Sequence, residues 1–470
     1  MDERFFENNV EKIKYKVLRE MARHAWRGED AFTAFNAIAQ VVVKKGDPTM
    51  SCCIYKDRAI IAEQMRIGLG EFHGSKDTVQ VVSIACDECP RSGHKVTDLC
   101  RGCVAHSCRE VCGRGAIAID SRGYAHIDKE CCIECGKCAI ACKYSAITNM
   151  IRPCEKACPN GAIEMGDDGA ASVNQDKCIV CGACIHECPF GAVNDISSII
   201  EVINAINNKK NNQKIIAAVA PAVASQFPGT TVGQIFSAIK ALGFDGVYEV
   251  AMGADATALS EAKELKEKGF LISSCCPSFV EYINIKYPDL KNHVSSTLSP
   301  MSITGKEIKE KHPGAKVIFI GPCVAKKYER KTDRSYSNID IVLTFIELIA
   351  LLDSKDIDIS SVKAVELNDA TPYGRGFAKT GGVANAINKA IEELKYEDFN
   401  FDPVICNGIK ECKAALTLAR SGKLKGNFIE GMVCEGGCIN GNGTLVNKKN
   451  VNSHIEDYMF SSSKHKLYKG

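Results

Sequence analysis

Apolar residues follow different rhythms in different parts of the chain. Over residues 13–40 they recur at three- and four-residue intervals, which predicts helix. From residue 199 onward, short strand-like segments at 215–219, 246–250 and 316–321 alternate with helix-like stretches at 255–268 and 383–394, the signature of an α/β domain. Between these lies a segment punctuated by cysteine. The pattern divides the chain into a mostly helical region 1–75, a cysteine-rich domain 76–198 and an α/β domain 199–470. A chain of 470 residues is too long for one core, which agrees with that division. The longest apolar runs, 215–224 and 341–352, fall short of the roughly 18–20 residues that cross a bilayer and read as buried strand or helix. The charged opening MDERFFENNVEK has no apolar signal-peptide core, so a cytoplasmic protein with no membrane partner is expected.

Composition sharpens this in two respects. Hydrophobic residues at 45% and charged residues at 25% are ordinary for a globular protein, and a net charge of +2 argues against nucleic acid as a partner. The 26 cysteines are not ordinary. Seventeen fall within residues 86–188 at two- and three-residue gaps, which in a reducing compartment reads as metal ligation rather than a disulfide framework. Adjacent thiolates need a soft metal to offset their charge, and iron–sulfur clusters or zinc supply it.

The cysteine-rich domain is internally repeated. Four times a C-x-x-x-C pair closes and is followed by a small residue, alanine and an aliphatic: Cys112-GRGAI, Cys142-KYSAI, Cys158-PNGAI and Cys188-PFGAV. Cys112 to Cys142 and Cys158 to Cys188 are each 30 residues apart, so the domain is two tandem copies of a two-half module. The module resembles the bacterial two-cluster ferredoxin. Cys178-x2-Cys181-x2-Cys184-x3-Cys188-Pro189 is the full signature, Cys132-x2-Cys135-x2-Cys138-x3-Cys142 lacks only the proline, and Cys100-x2-Cys103-x4-Cys108-x3-Cys112 carries an insertion. In such modules three close thiolates wrap one cluster and the fourth reaches the other. That resemblance implies one [4Fe-4S] cluster on Cys100, Cys103, Cys108 and Cys142, a second on Cys132, Cys135, Cys138 and Cys112, and a third on Cys178, Cys181, Cys184 and Cys158. Counting leaves Cys86, Cys89, Cys154 and Cys188 for a fourth, although the pair Cys86-x2-Cys89 is distant enough to bind zinc or nothing instead. His94 and His106 lie among these cysteines and are read as surface histidines, with replacement of a thiolate as the alternative. Cys52, Cys53, Cys131, Cys406 and Cys412 are left over and default to buried small hydrophobes.

Three separated peptides carry the remaining chemistry: SSCCPSF (273–279), GPCVAKKYE (321–329) and EGMVCEGGCINGNG (430–443). Small residues and glycines around their cysteines let backbone approach a bulky inorganic group. The three resemble the signature motifs of the [FeFe]-hydrogenase family, over most of residues 214–445. The resemblance implies that Cys276, Cys323, Cys434 and Cys438 hold the [4Fe-4S] part of an H-cluster, and that Cys438 also bridges to a di-iron unit carrying CO, CN and a dithiolate amine. It further implies that Cys275 donates protons to that amine, and that Glu261, Ser295, Glu264 and Lys268 continue the path to the surface. Lys326 matches the lysine beside a cyanide, and Pro221, Met301 and Met432 match positions lining the di-iron pocket. The chain departs from the family's best-studied members at Gly321, Met301, Phe279 and the Asn440-Gly441-Asn442-Gly443 run, which leaves the ligands intact and alters their surroundings.

The expected architecture is therefore α+β ferredoxin-like iron–sulfur modules, preceded by a helical segment and followed by an α/β [FeFe]-hydrogenase domain. The expected function is a ferredoxin-dependent hydrogenase interconverting 2 H⁺ + 2 e⁻ and H₂, loaded by di-iron maturation proteins. No nucleotide or flavin fingerprint competes with ferredoxin as the electron partner. An H₂ sensor of low turnover and an iron–sulfur scaffold without the di-iron unit are the alternatives.

Overall fold

The computed structural model describes residues 6–29, 31–44, 51, 53–70, 78–87, 89–210, 212–332, 337–445 and 451–467; Cys52 lies outside them. Two small parallel sheets form the frame of the C-terminal half. One is ordered Gly246–Glu249, Ile215–Val219, Lys316–Gly321, Ile341–Thr344. The other is ordered Leu271–Ile272, Phe428–Met432, Pro403–Asn407. The two central strands, Ile215–Val219 and Phe428–Met432, are buried at every position, as expected where helices cover both faces of a parallel sheet. The apolar run 341–352 divides into strand Ile341–Thr344 and helix Phe345–Ser354, because Thr344 and Glu347 form a capping box at the junction.

The internal repeat becomes four short strands. After Cys112, Cys142, Cys158 and Cys188 the aliphatic of the signature opens strands Ile117–Ile119, Ile147–Met150, Ile163–Met165 and Val193–Asp195. The alanine before each strand is buried. At Ala116, Ala146 and Ala162 its N–H donates to the sulfur of the cysteine four residues earlier, at 3.3, 3.3 and 3.1 Å. The small–Ala–aliphatic pattern thus turns the chain so that a backbone donor meets the closing thiol in three of the four repeats.

The helical expectation for 13–40 holds with a break. Helices Asn9–Trp26 and Ala31–Val42 are separated at Gly28, whose φ of +73° ends the first. Tyr15, Leu18 and Ala22 of the first helix enter the core of the larger sheet, while Met21 and Ile13 pack on the second and third helices. A buried charge network fastens this helix to the other two regions. Asp195, at the end of the cysteine-rich domain, takes Lys14 Nζ at 2.5 Å and Lys327 Nζ at 2.6 Å, and Lys327 also meets Glu347 at 2.8 Å. Burial works against the Asp195 charge, but the two ammonium groups outweigh it and hold its carboxyl well below the usual range. No helix among the described residues is long and apolar enough to cross a membrane.

Candidate metal centre

In open parallel sheets the carboxyl ends of the strands frame the binding crevice. Here both sheets aim theirs at one cavity. Pro221 follows strand Ile215–Val219, Cys323 follows Lys316–Gly321, Cys275 and Cys276 follow Leu271–Ile272, and Cys434 and Cys438 follow Phe428–Met432. The cavity is predominantly apolar and is lined by Cys275, Cys276, Cys323, Cys438, Lys326, Pro221, Met301 and Met432. Cys434 stands beside it, with Cys323, Cys276 and Cys438 as its neighbours. Cys276 is the residue from which helix Pro277–Lys286 starts, and Cys438 opens the short helical turn Cys438–Asn440. The Cys276 sulfur faces the N–H groups of Val433, Phe279 and Ser278, and that of Cys323 faces those of Lys326 and Ala325.

Burial and mutual proximity push these thiols up, Cys323 to about 11 and Cys438 to about 12. Four thiols held together, each costly to ionise alone and two of them facing backbone donors, suit a soft cationic cluster that can bind them as thiolates. Close backbone approach is enforced at Gly431, where an added Cβ would fall 2.0 Å from the Phe279 ring. At Gly437, with φ of +92°, it would fall 2.6 Å from the Ala378 carbonyl.

Around the cavity the polar groups are few. Lys326 Nζ donates to the Cys275 carbonyl at 3.2 Å and to Glu329 Oε2 at 2.5 Å. Burial disfavours its charge, but the Glu329 carboxylate more than compensates and raises the ammonium above its usual value. Burial, followed by the negative charge of Glu261, pushes the Cys275 thiol well up. Glu261 is fully buried, and Ser274 N–H donates to its Oε1 at 3.4 Å. One turn further, Glu264 accepts from the Ser295 hydroxyl at 2.8 Å and from Lys268 Nζ at 2.7 Å. Burial opposes the Glu264 charge, yet Lys268 and the Ser296 and Ser295 donors outweigh it and set its carboxyl at about 2. Glu261, Glu264 and Lys268 thus line one side of helix Ala251–Lys268, running from the Cys275 side to a half-exposed lysine.

Upstream, the thiols fall into neighbour sets. Cys108 has Cys103 and Cys142 beside it, and Cys138 has Cys132 and Cys112. Cys184 has Cys181, Cys178 and Cys158 beside it, and Cys154 of the next set as well; Cys154 in turn has Cys188 and Cys86, with Cys89 next to Cys86 and Cys188. Cys112, Cys132, Cys135 and Cys138 line one common cavity, and Cys100 joins the core that contains Cys108 and Cys142. Cys181 also neighbours Cys434, so the third set abuts the central cavity.

Two minor expectations are corrected. His94 is not a surface residue: it is 7% exposed, lines the cavity of Cys112, Cys132, Cys135 and Cys138, and its Nδ1 lies 2.8 Å from Glu134 Oε2. Strand Gly93–Val96 pairs with Ile147–Met150 and carries the ring inward, which no local signal announces. Of the leftover cysteines, Cys406 and Cys412 are buried, but Cys53 and Cys131 are exposed. The sequence reading also missed Glu430, fully buried beneath the cavity. Burial pushes its carboxyl up to about 7 despite N–H donors from Gly381 at 2.7 Å and Ala384 at 2.8 Å.

Residues 213–442 match the family described as iron only hydrogenase large subunit, C-terminal domain, and residues 148–199 match the LdpA Fe-S cluster-binding domain. Iron hydrogenase 1 of Clostridium pasteurianum is 29% identical over 311 residues, covering 54% of this chain and 54% of that protein. The NADP-reducing hydrogenase subunit HndD of Solidesulfovibrio fructosivorans is 28% identical over 306 residues, 52% of each. The cytosolic Fe-S cluster assembly factor NAR1 of Eremothecium gossypii is 31% identical over 145 residues, 30% of this chain and 32% of that protein. The chain spans about half the length of the two hydrogenase relatives. The C-terminal half is an α/β domain of the [FeFe]-hydrogenase-like family, joined to an iron–sulfur-binding region on its N-terminal side.

Proposed function

We propose that this chain is a hydrogenase, interconverting 2 H⁺ + 2 e⁻ and H₂ in the cytoplasm, with an H-cluster held by Cys276, Cys323, Cys434 and Cys438. The observation that carries the reading is the placement of Cys275. It is a non-ligand thiol on the wall of the ligand cavity, with buried Glu261 on one side and the Lys326 ammonium on its own carbonyl. An iron–sulfur scaffold has no evident use for that arrangement. When bound, the H-cluster supplies the redox centre at which protons and electrons meet. The chain's own part is to orient and to relay. Lys326 presents a fixed positive charge to the anionic ligands expected there. Cys275 holds a proton at its Sγ and is resupplied through Glu261, Ser295, Glu264 and Lys268. Cys100, Cys103, Cys108, Cys112, Cys132, Cys135, Cys138, Cys142, Cys154, Cys158, Cys178, Cys181, Cys184 and Cys188, with Cys86 and Cys89, hold three to four [4Fe-4S] clusters that exchange electrons with a ferredoxin-type carrier. Di-iron maturation proteins are the further partners.

Likeness to the NAR1 assembly factor supports a second reading, an iron–sulfur protein without the di-iron unit. Expression with the maturation machinery, infrared spectroscopy in the CO and CN region and an H₂ assay separate the two. Bands with turnover support the hydrogenase, and bands with negligible turnover point to an H₂ sensor. Absent bands after full maturation leave the second reading.

A further inference from the structure

The four C-x-x-x-C pairs of the repeat begin at Cys108, Cys138, Cys154 and Cys184. Two residues before Cys138 and Cys184 stand Gly136 and Gly182, with φ of +73° and +78°. At the same register before Cys108 and Cys154 stand His106 and Arg152. Each carries a buried side-chain nitrogen with no hydrogen-bond partner among the described residues, Nε2 of His106 and Nη1 of Arg152.

Arg152 is the sharper case, because it is only 3% exposed. Its Nε donates to the Pro90 carbonyl at 3.1 Å, and its Nη2 to the carbonyls of Cys89 and Gly169 at 3.1 and 2.8 Å. These three acceptors orient the guanidinium but carry no net charge. No carboxylate among the described residues forms an ion pair with it; Glu155, three positions on, accepts the Ser92 hydroxyl at 2.6 Å instead. A guanidinium stays protonated in proteins, and a buried charge without a counter-charge is strongly unfavourable.

The sulfurs beside it belong to the fourth ligand set. Cys86, Cys154 and Cys188 share one apolar core, and Cys86 and Cys89 both have Arg152 as a charged neighbour. Burial pushes these two thiols up, and the arginine acts in the opposite sense. At Cys89 it outweighs Glu155, which acts against it, and Lys95 adds to it.

We propose that Arg152 is the built-in counter-charge of an iron–sulfur cluster on Cys86, Cys89, Cys154 and Cys188, donating its Nη1–H to one of the cluster's sulfurs. The proposal rests on the reading of these cysteines as a fourth ligand set. A cubane on four thiolates is a net anion, and its reduction adds one electron without making or breaking a bond. A fixed cation and a hydrogen bond at sulfur stabilise the reduced form more than the oxidised one. The fourth cluster therefore takes its electron at a higher potential than the same cubane without Arg152.

The test is a reductive titration of the cluster-loaded full chain followed by electron paramagnetic resonance. The signal that Cys86→Ser lacks belongs to the fourth cluster. Arg152→Met should weaken its reduction about tenfold or more, a fall of about 59 mV per tenfold for one electron. Arg152→Lys, which keeps the charge, should recover part of that fall. Iron content and the potentials of the other clusters should be unchanged. In the parent, isotope-labelled arginine should give a nitrogen coupling to the reduced fourth cluster by electron–nuclear double resonance. That measurement decides the matter if Arg152→Met fails to load iron. An unchanged potential in a fully loaded Arg152→Met variant overturns the proposal, as does an absent nitrogen coupling. A Cys86→Ser chain that keeps all its iron overturns the fourth ligand set itself, so the two failures are distinct.

Discussion

The Lys326 ammonium is tied to the backbone carbonyl of Cys275 at 3.2 Å, so the cation expected beside the di-iron ligands and the expected proton donor move as one unit. Glu329 holds the same ammonium at 2.5 Å and is itself gripped by the Ser299 hydroxyl. Removing one member of such a buried pair strands the other. Glu329→Gln should destabilise the metal-free chain by about 3–5 kcal/mol, and adding Lys326→Met should recover most of that loss. Urea unfolding of both variants measures it, and equal losses would show that the pair is uncoupled.

Cys275→Ser keeps the shape of the cavity wall and removes an exchangeable thiol. A serine hydroxyl is far less acidic, so turnover should drop at least about a hundredfold while the infrared bands persist. Undiminished H₂ production by a variant with full bands would remove Cys275 from the proton route.

Cys86 and Cys89 stand beside Cys154 and Cys188, which makes the fourth ligand set testable by composition alone. Cys86→Ser should lose about four irons per chain relative to the parent. An unchanged iron count would assign the pair to packing.

Glu430 gives a pH signature. Its carboxyl, ordinarily near 4.5, is pushed by burial to about 7 in the folded chain. A group with a raised folded pKa binds more protons folded than unfolded between those values, so stability should fall as pH rises from 4.5 to 7 and level off above. The swing is on the order of 3 kcal/mol. Glu430→Gln should flatten the profile and stabilise the metal-free chain at pH about 8. An identical slope in the variant would place the titration elsewhere.

Local pattern carried much of the architecture. The strand-like segments at 215–219 and 316–321 became strands, buried at every position but Lys316, because both faces of that sheet are covered. The repeat read as small–Ala–aliphatic mapped onto four strand starts, since it encodes a turn and a donor to sulfur within a few residues. Spacing also placed Glu261 and Glu264 on one helix side. What escaped depends on partners far away in sequence. The inward ring of His94 needs Glu134, forty residues on, and the burial of Glu430 needs the start of helix Gly382–Glu393. The leftover cysteines differ only in what covers them, which composition does not encode.

The first helix, Asn9–Trp26, also bears on the order of assembly. Lys14 finds its partner 181 residues later, and Tyr15 bonds Asp353, 338 residues later. The ribosome makes this helix well before either partner, so it reaches its final seat only after Asp353 has emerged. Contacts of such long range form late. Until then the cysteine modules and the central cavity lack their clasp, so metal delivery has a window that closes when this helix packs against Asp195 and Asp353.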